Sequence, residues 1–219
     1  MKGYMGTLLR VNLSTGEVSK EPLDPKLARD YIGGAGLGLR LAYDEVPPDT
    51  DPLGPDAKLF LMTGPITATN LGTAGRYEVV FKSPATGIMC DASSGGFWGT
   101  ELKRSGYDGL IIEGASEKPV YLYIHDDLVE LRDAAHLWGM DTFEIQPVLC
   151  EEVGEPKAKV LSIGPAGERG VLFSCMINDA GRAPGRGGNG AVMGSKKLKA
   201  IVARGTKKLD LADPDGYRK

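Results

Sequence analysis

Two stretches of the chain set strand-forming residues on either side of turn formers. Leu8–Leu13, a Ser14-Thr15-Gly16 turn and Glu17–Lys20 predict one β-hairpin. Val120–His125, an Asp126-Asp127 turn and Leu128–Arg132 predict another. Helical spacing follows the first hairpin. Asp24 offers an N-cap, Pro25 suits the first helical position, and Leu27, Ala28, Tyr31 and Ile32 recur at helical intervals. Gly33-Gly34 interrupts that helix, and a second piece runs through Leu37–Tyr43. Asp141-Thr142-Phe143-Glu144 has the form of a capping box for a helix through Cys150. Pro147 is expected to weaken or kink this helix, and Gly154 to end it.

The pattern is doubled. Lys58–Pro65 reads like Lys159–Pro165: each is an apolar run stopped by Gly-Pro, and the two Gly-Pro pairs lie about 100 residues apart. Gly75–Pro84 has Gly170–Asp179 as its expected strand counterpart. The glycine clusters Ser93–Gly99 and Gly185–Gly190 each open a short amphipathic stretch, which runs into the apolar strands Gly109–Gly114 and Ala200–Gly205. Each half therefore reads hairpin, helix, strand, strand, glycine cluster, helix, strand, with chance likeness of short apolar runs as the alternative. The expected fold is α+β, in two pseudo-symmetric halves of about 1–116 and 117–206. Each half is a mainly antiparallel sheet with short helices. The charged stretch 207–219 is expected to be a linker leading to downstream domains absent from this sequence.

Composition narrows the function classes. A chain of 219 residues can bury a substantial core, and a net charge of -3 gives no general field for a polyanion, so nucleic-acid binding is not expected. No run approaches membrane-spanning length and no N-terminal stretch resembles a signal peptide. Cys90, Cys150 and Cys175 are widely separated, with no C-x-x-C, which fits a reducing cytoplasm and offers no zinc or cluster site. His125 and His136 lack neighbours for triad or metal chemistry, and no serine sits in a G-x-S-x-G elbow. Glycine, at 31 residues, is the outlier, and its placement at turns and element boundaries implies tight backbone approaches.

Anion binding is the chemistry the glycine clusters suggest. Backbone N–H groups at a glycine-rich helix start can reach a phosphate, and two such starts suggest two phosphates held between matching halves. In the first cluster Ser93 or Ser94 is expected to cap the helix, Gly95 and Gly96 to admit a ligand, Trp98 and Leu102 to pack inward, and Lys103 and Arg104 to lie at the C-terminal end. The alternative is a helix start packed on a strand. In the second, Arg182 and Arg186 stand four apart amid small residues and provide paired guanidinium donors. The alternative there is a flexible basic loop. Arg76, after Gly72–Gly75, mirrors this position or is a surface arginine at a strand start. The spacing matches neither a P-loop nor a dinucleotide fingerprint.

Several segments together resemble a known family. They are Arg10–Gly16, Thr63–Pro65, Gly75–Val80, Lys82–Pro84, Ser94–Gly96, Gly106–Asp108, Glu113-Gly114, Gly164–Glu168, and Gly181–Ala183 through Gly190–Lys196. The resemblance is to the N-terminal domain of the tungsten-containing aldehyde:ferredoxin oxidoreductases, and it extends to about Thr206. It implies a base domain carrying two pyranopterin dithiolenes whose sulfurs hold one tungsten, with molybdenum as the alternative metal, and a magnesium ion bridging their phosphates. Carried over by motif, Arg76, Ser93 and Gly95 contact one pterin, and Arg182, Ala183, Gly185 and Arg186 the other. Backbone carbonyls of Ser93 and Ala183 meet the magnesium. The family usually has asparagine at position 93, so Ser93 is a departure that puts any side-chain contact there in doubt.

The resemblance further implies oxidation of an aldehyde to a carboxylic acid, with ferredoxin as electron acceptor and a 4Fe-4S cluster for electron transfer. The cluster's cysteines and the substrate-side residues belong to downstream domains, so no catalytic residue is assigned here. The fragment alone is expected to be inert. A homodimer is open. The rival readings are a stand-alone pterin-binding or assembly module without redox activity, and a structural subunit that has lost the ligand.

Overall fold

The computed structural model describes residues 1–179 and 181–216. The first sheet contains β1 (Thr7–Asn12), β2 (Val18–Pro22), β3 (Leu59–Thr63), β4 (Tyr77–Lys82), β5 (Met89–Ser94) and β6 (Gly109–Glu113), in the order β2-β1-β6-β3-β4-β5. The second contains β7 (Val120–His125), β8 (Leu128–Asp133), β9 (Lys159–Ser162), β10 (Ile177–Asn178) and β11 (Leu198–Arg204), in the order β10-β9-β11-β7-β8. Each sheet is antiparallel except for one parallel pair, β1 with β6 and β7 with β11. With the short helices this is an α+β fold. The connectivity of β8-β7-β11-β9-β10 repeats that of β2-β1-β6-β3-β4, and the expected division at 116/117 falls between β6 and β7.

Strand periodicity explains how the sheets pack. On β4, Tyr77, Val79 and Phe81 point one way and enter a core shared by both sheets, together with Leu61, Ile112, Leu161, Met176 and Ile201. Val80 points the other way, into a separate core beneath α1 (Pro25–Tyr31) and α2 (Gly34–Glu45). The outer face of the second sheet packs Tyr121, Val160 and Val202 against α4 (Ile145–Glu152) and a 3₁₀ turn at Ala135–Leu137. Between the sheets lies α3 (Trp98–Arg104), whose buried Trp98 indole donates to the Ile201 carbonyl across the two halves, 3.0 Å. The short α5 (Pro165–Glu168) and α6 (Asn189–Ser195) complete the second half. Among the described residues no helix is long and apolar enough to cross a membrane.

Most predicted elements form as read. The Asp24 carboxylate accepts the Lys26 N–H at 2.8 Å with Pro25 behind it, and both hairpins close. Three expectations change. Ser93 and Ser94 do not cap α3; they end β5, because their ladder with Tyr77 and Glu78 continues to that point. Pro147 does not break α4, since it lies in the first turn, where its missing N–H has no helical acceptor to lose. Gly170–Asp179 is a loop that joins the sheet only at β10; Leu172 and Phe173 are exposed, so no alternating buried face holds the rest as a strand. Lys103 and Arg104 lie in the last turn of α3 as expected, and Lys103 is fully buried there. The stretch expected as a linker is tied to the body over its first residues: Lys207 N–H bonds the Arg104 carbonyl, and Asp210 accepts Gly3 N–H through its backbone. Residues 217–219 of that stretch, and Ala180 within the second cluster region, lie outside the described residues.

Candidate functional site

The two cluster regions meet at one seam, and Asn178 at the end of β10 holds it. Its Oδ1 accepts from Tyr77 Oη (3.0 Å) and Ser94 Oγ (2.7 Å), while its Nδ2 donates to the Gly95 carbonyl (2.9 Å) and to Asp179 Oδ2 (2.8 Å). That fills the bonding capacity of a buried side-chain amide. Burial pushes the Tyr77 phenol well above its ordinary value, keeping it neutral and able to donate. The Asn178 backbone pairs with Arg182 in both directions, at 2.7 and 2.9 Å. One residue on, Asp179 Oδ2 accepts the Phe97 N–H at 2.6 Å. The second half therefore caps α3, which has no side-chain cap of its own. The Phe97 amide, at the start of this helix, is thereby occupied within the protein.

Gly96 makes this closeness feasible. Its φ is 94, and a Cβ there would overlap Asp179 Oδ2 and lie 2.8 Å from both Arg182 Cδ and Asn178 Nδ2. The second cluster is shaped by Asn189. Its Oδ1 accepts Met176 N–H (2.8 Å), and its Nδ2 donates to the carbonyls of Pro184 (2.6 Å) and Arg186 (3.2 Å). Gly188 takes the left-handed conformation before α6, where any side chain would strike the Leu172 carbonyl. Ser83 Oγ reaches across to the Gly187 carbonyl at 2.7 Å, a further tie between the halves.

Arg76, Gly95 and Arg182 line one cleft of ≈ 520 Å³ with Gly96, Phe97, Thr100 and Arg104. Ser93 joins through its Oγ, which accepts from Arg76 Nη1 at 2.9 Å. Ala183, Gly185 and Arg186 fall outside that lining, on the run that follows. Gly185 is exposed, with open space where a Cβ would stand. Among the described residues no carboxylate oxygen lies within 4.0 Å of the Arg76, Arg182 or Arg186 guanidinium nitrogens. Beside Arg76, burial raises the Glu78 carboxyl to about 6, helped by Asp91 and opposed by Arg76. Among the described residues no His, Cys, Asp and Glu side chains group as metal ligands. The donor set suits an anion with several oxygens, met by guanidinium forks and close backbone.

Reasoning from sequence missed Asn178, Asp179 and Asn189. A signal was present: an Asn-Asp pair closes an apolar run directly before the second cluster, and a lone asparagine interrupts its glycines. What each side chain bonds depends on chain partners more than 80 positions away in the case of Asn178.

Residues 8–205 match the family described as aldehyde ferredoxin oxidoreductase, N-terminal domain. The chain is 52% identical over 217 residues to the tungsten-containing aldehyde ferredoxin oxidoreductase of Thermococcus kodakarensis, and 50% identical over 217 residues to that of Pyrococcus furiosus. Each alignment covers 99% of this chain and 36% of the relative, so the chain spans about a third of the length of these proteins. A solved structure of the active-site complex BamBC of benzoyl coenzyme A reductase, with 1,5-dienoyl-CoA, superposes with a TM-score of 0.96 at 40% identity. It covers 99% of this chain and 33% of that one. The chain belongs to the aldehyde ferredoxin oxidoreductase family, in which it corresponds to the N-terminal domain.

Proposed function

We propose that this chain is the cofactor-cradling domain of a tungsten-dependent oxidoreductase that converts aldehydes to carboxylic acids and passes the electrons to ferredoxin. The observation that carries the reading is the seam, where residues from both halves close on a cleft walled by Arg76, Gly95 and Arg182. Arginines without carboxylate partners among the described residues, and the open space at Gly185, fit negatively charged organic molecules. When bound, a tungsten bis-pyranopterin supplies the two-electron redox chemistry. The chain's own residues bind and orient it: Arg76, Ser93 and Gly95 on one pterin, Arg182, Ala183, Gly185 and Arg186 on the other. Backbone carbonyls of Ser93 and Ala183 would hold a magnesium ion. Serine at 93 is compatible, since the carbonyl is unchanged and the hydroxyl accepts the Arg76 bond.

The 4Fe-4S cluster, the substrate pocket and the ferredoxin contact belong, in this reading, to the length of the relatives beyond this span. Three free thiols accord with the cytoplasm as its compartment. Higher identity to the aldehyde enzymes than to the coenzyme A thioester reductase favours an aldehyde substrate. Replacing Arg182→Ala together with Arg186→Ala tests the reading. Pterin content after anaerobic purification should fall sharply, while the unfolding free energy changes by less than ~0.5 kcal/mol, as expected for exposed side chains. Unchanged pterin content would overturn the assignment.

A further inference from the structure

A second cleft, ≈ 640 Å³, opens beside the first between the 68–70 loop, the end of α3 and the segment that follows β11. Among the described residues four cations line it, Arg104, Arg204, Lys207 and Lys208, and no aspartate or glutamate does. In a chain of net charge -3 this is a local reversal of sign. Two of the four are committed to the fold. Arg204 Nη1 donates to Glu101 Oε2 at 2.9 Å, and Lys207 Nζ to Asp127 Oδ1 at 3.0 Å. Arg104 is held only loosely: its Nη1 makes a long ion pair to Glu101 Oε1 at 4.0 Å, beyond hydrogen-bonding reach, while Glu101 Oε2 accepts from Arg204 and the Gly205 N–H. Lys208 has no carboxylate within 4.0 Å among the described residues.

The backbone presents this pair rigidly. Lys207 N–H bonds the Arg104 carbonyl at 2.9 Å, which clamps the two segments together one residue from Lys208. A guanidinium fork with no hydrogen bond to a carboxylate, and an ammonium with no carboxylate partner among the described residues, on a fixed frame in a concave setting, are donors a phosphoryl group takes. We infer that Arg104 and Lys208 form a phosphoryl-binding site, for an organic phosphate or pyrophosphate. Thr69, Asn70 and Arg104 line both clefts. The phosphoryl group therefore belongs either to a separate phosphorylated ligand or to a molecule that also occupies the first cleft. The inference stands apart from the identity of the cofactor.

The test is calorimetric titration of the intact protein with inorganic pyrophosphate at low ionic strength, where screening is weak. Three proteins are compared: the unaltered chain, Arg104→Met with Lys208→Met, and Arg182→Met. Saturable binding that the double variant weakens about tenfold or more, with Arg182→Met changing it less than about twofold, supports a separate ligand. Comparable weakening by both supports one molecule spanning the two clefts. No saturable binding overturns the inference, as does binding that only Arg182→Met weakens. Both altered side chains reach solvent, so an unchanged unfolding midpoint verifies that the fold survives.

Discussion

The Gly-Pro corners of the two halves meet the same structural demand with opposite charges. In the first half Thr63 N–H bonds the Asp108 carbonyl at 2.9 Å, and in the second Ile163 N–H bonds the Lys199 carbonyl at 3.1 Å. Equivalent backbone positions thus carry an acid in one half and a base in the other. The acid Asp108 draws Lys103 from α3, whose Nζ bonds Asp108 Oδ1 (2.5 Å) and the Gly64 carbonyl (3.1 Å). The base Lys199 draws Glu168 from α5 (2.5 Å) and bonds the carbonyls of Ile163 and Met140, both at 2.8 Å. Each carboxylate also accepts backbone N–H groups, from Met5 and Gly6 in one case and Gly139 in the other. The pair is required at each corner, and the order of its charges is not. An ammonium donates to carbonyls at the turn, and a carboxylate makes its burial tolerable.

Breaking one pair should have the largest effect. Lys199→Met and Lys103→Met leave a buried carboxylate without its cation, and each should cost ~3–5 kcal/mol in urea unfolding. Removing both partners, as in Lys199→Met with Glu168→Met, should cost less than the sum of the single changes. Equal and additive losses would break the comparison. The seam comes next. Asn178→Ala orphans the Tyr77 and Ser94 hydroxyls and the Gly95 carbonyl, and should cost ~2–3 kcal/mol. Hydrogen exchange should quicken on both sides of the seam, at 94–97 and at 178–182. A loss confined to the second half would show that the seam does not couple the halves.

The smallest effect concerns Glu78, a half-buried carboxyl on β4 that has no equivalent on the two-residue β10. Its Oε2 is buried without a partner among the described residues, and its pKa is about 6 against 4.5 in the unfolded chain. The folded state holds this proton more tightly, so stability falls as pH rises from 4.5 through about 6. Discounted for solvent access, the loss is under ~1 kcal/mol. Glu78→Gln should remove that slope, and an identical pH profile in the variant would refute the assignment.

Local chemistry made much of the fold legible. Asp24-Pro25 marks a helix start because cap and first turn are chemically specified within three residues. The hairpins are legible because strand and turn formers are contiguous. The glycine clusters announced a seam, since φ values such as that of Gly96 are costly for other residues. Long-range satisfaction was not legible. Ser94 has the chemistry of a cap, yet α3 is capped by Asp179, 82 positions away. Lys103, Lys196 and Lys199 have surface chemistry and are fully buried. At Lys196 burial lowers the ammonium to about 8, while Glu113 and Asp56 counter the shift. Its Nζ bonds the Gly114 carbonyl at 2.8 Å, an acceptor on the other half of the chain. No local pattern encodes such partners.

The central claim is that both halves jointly grip the metal cofactor at the Arg76–Gly95–Arg182 cleft. The direct measurement is a crystal structure of the anaerobically purified protein, with diffraction recorded at the tungsten absorption edge. The account predicts a single anomalous peak over that cleft, flanked by density for two pterins. A peak lodged elsewhere on the molecule, or an occupied cofactor without contact to Arg76 and Arg182, would contradict it.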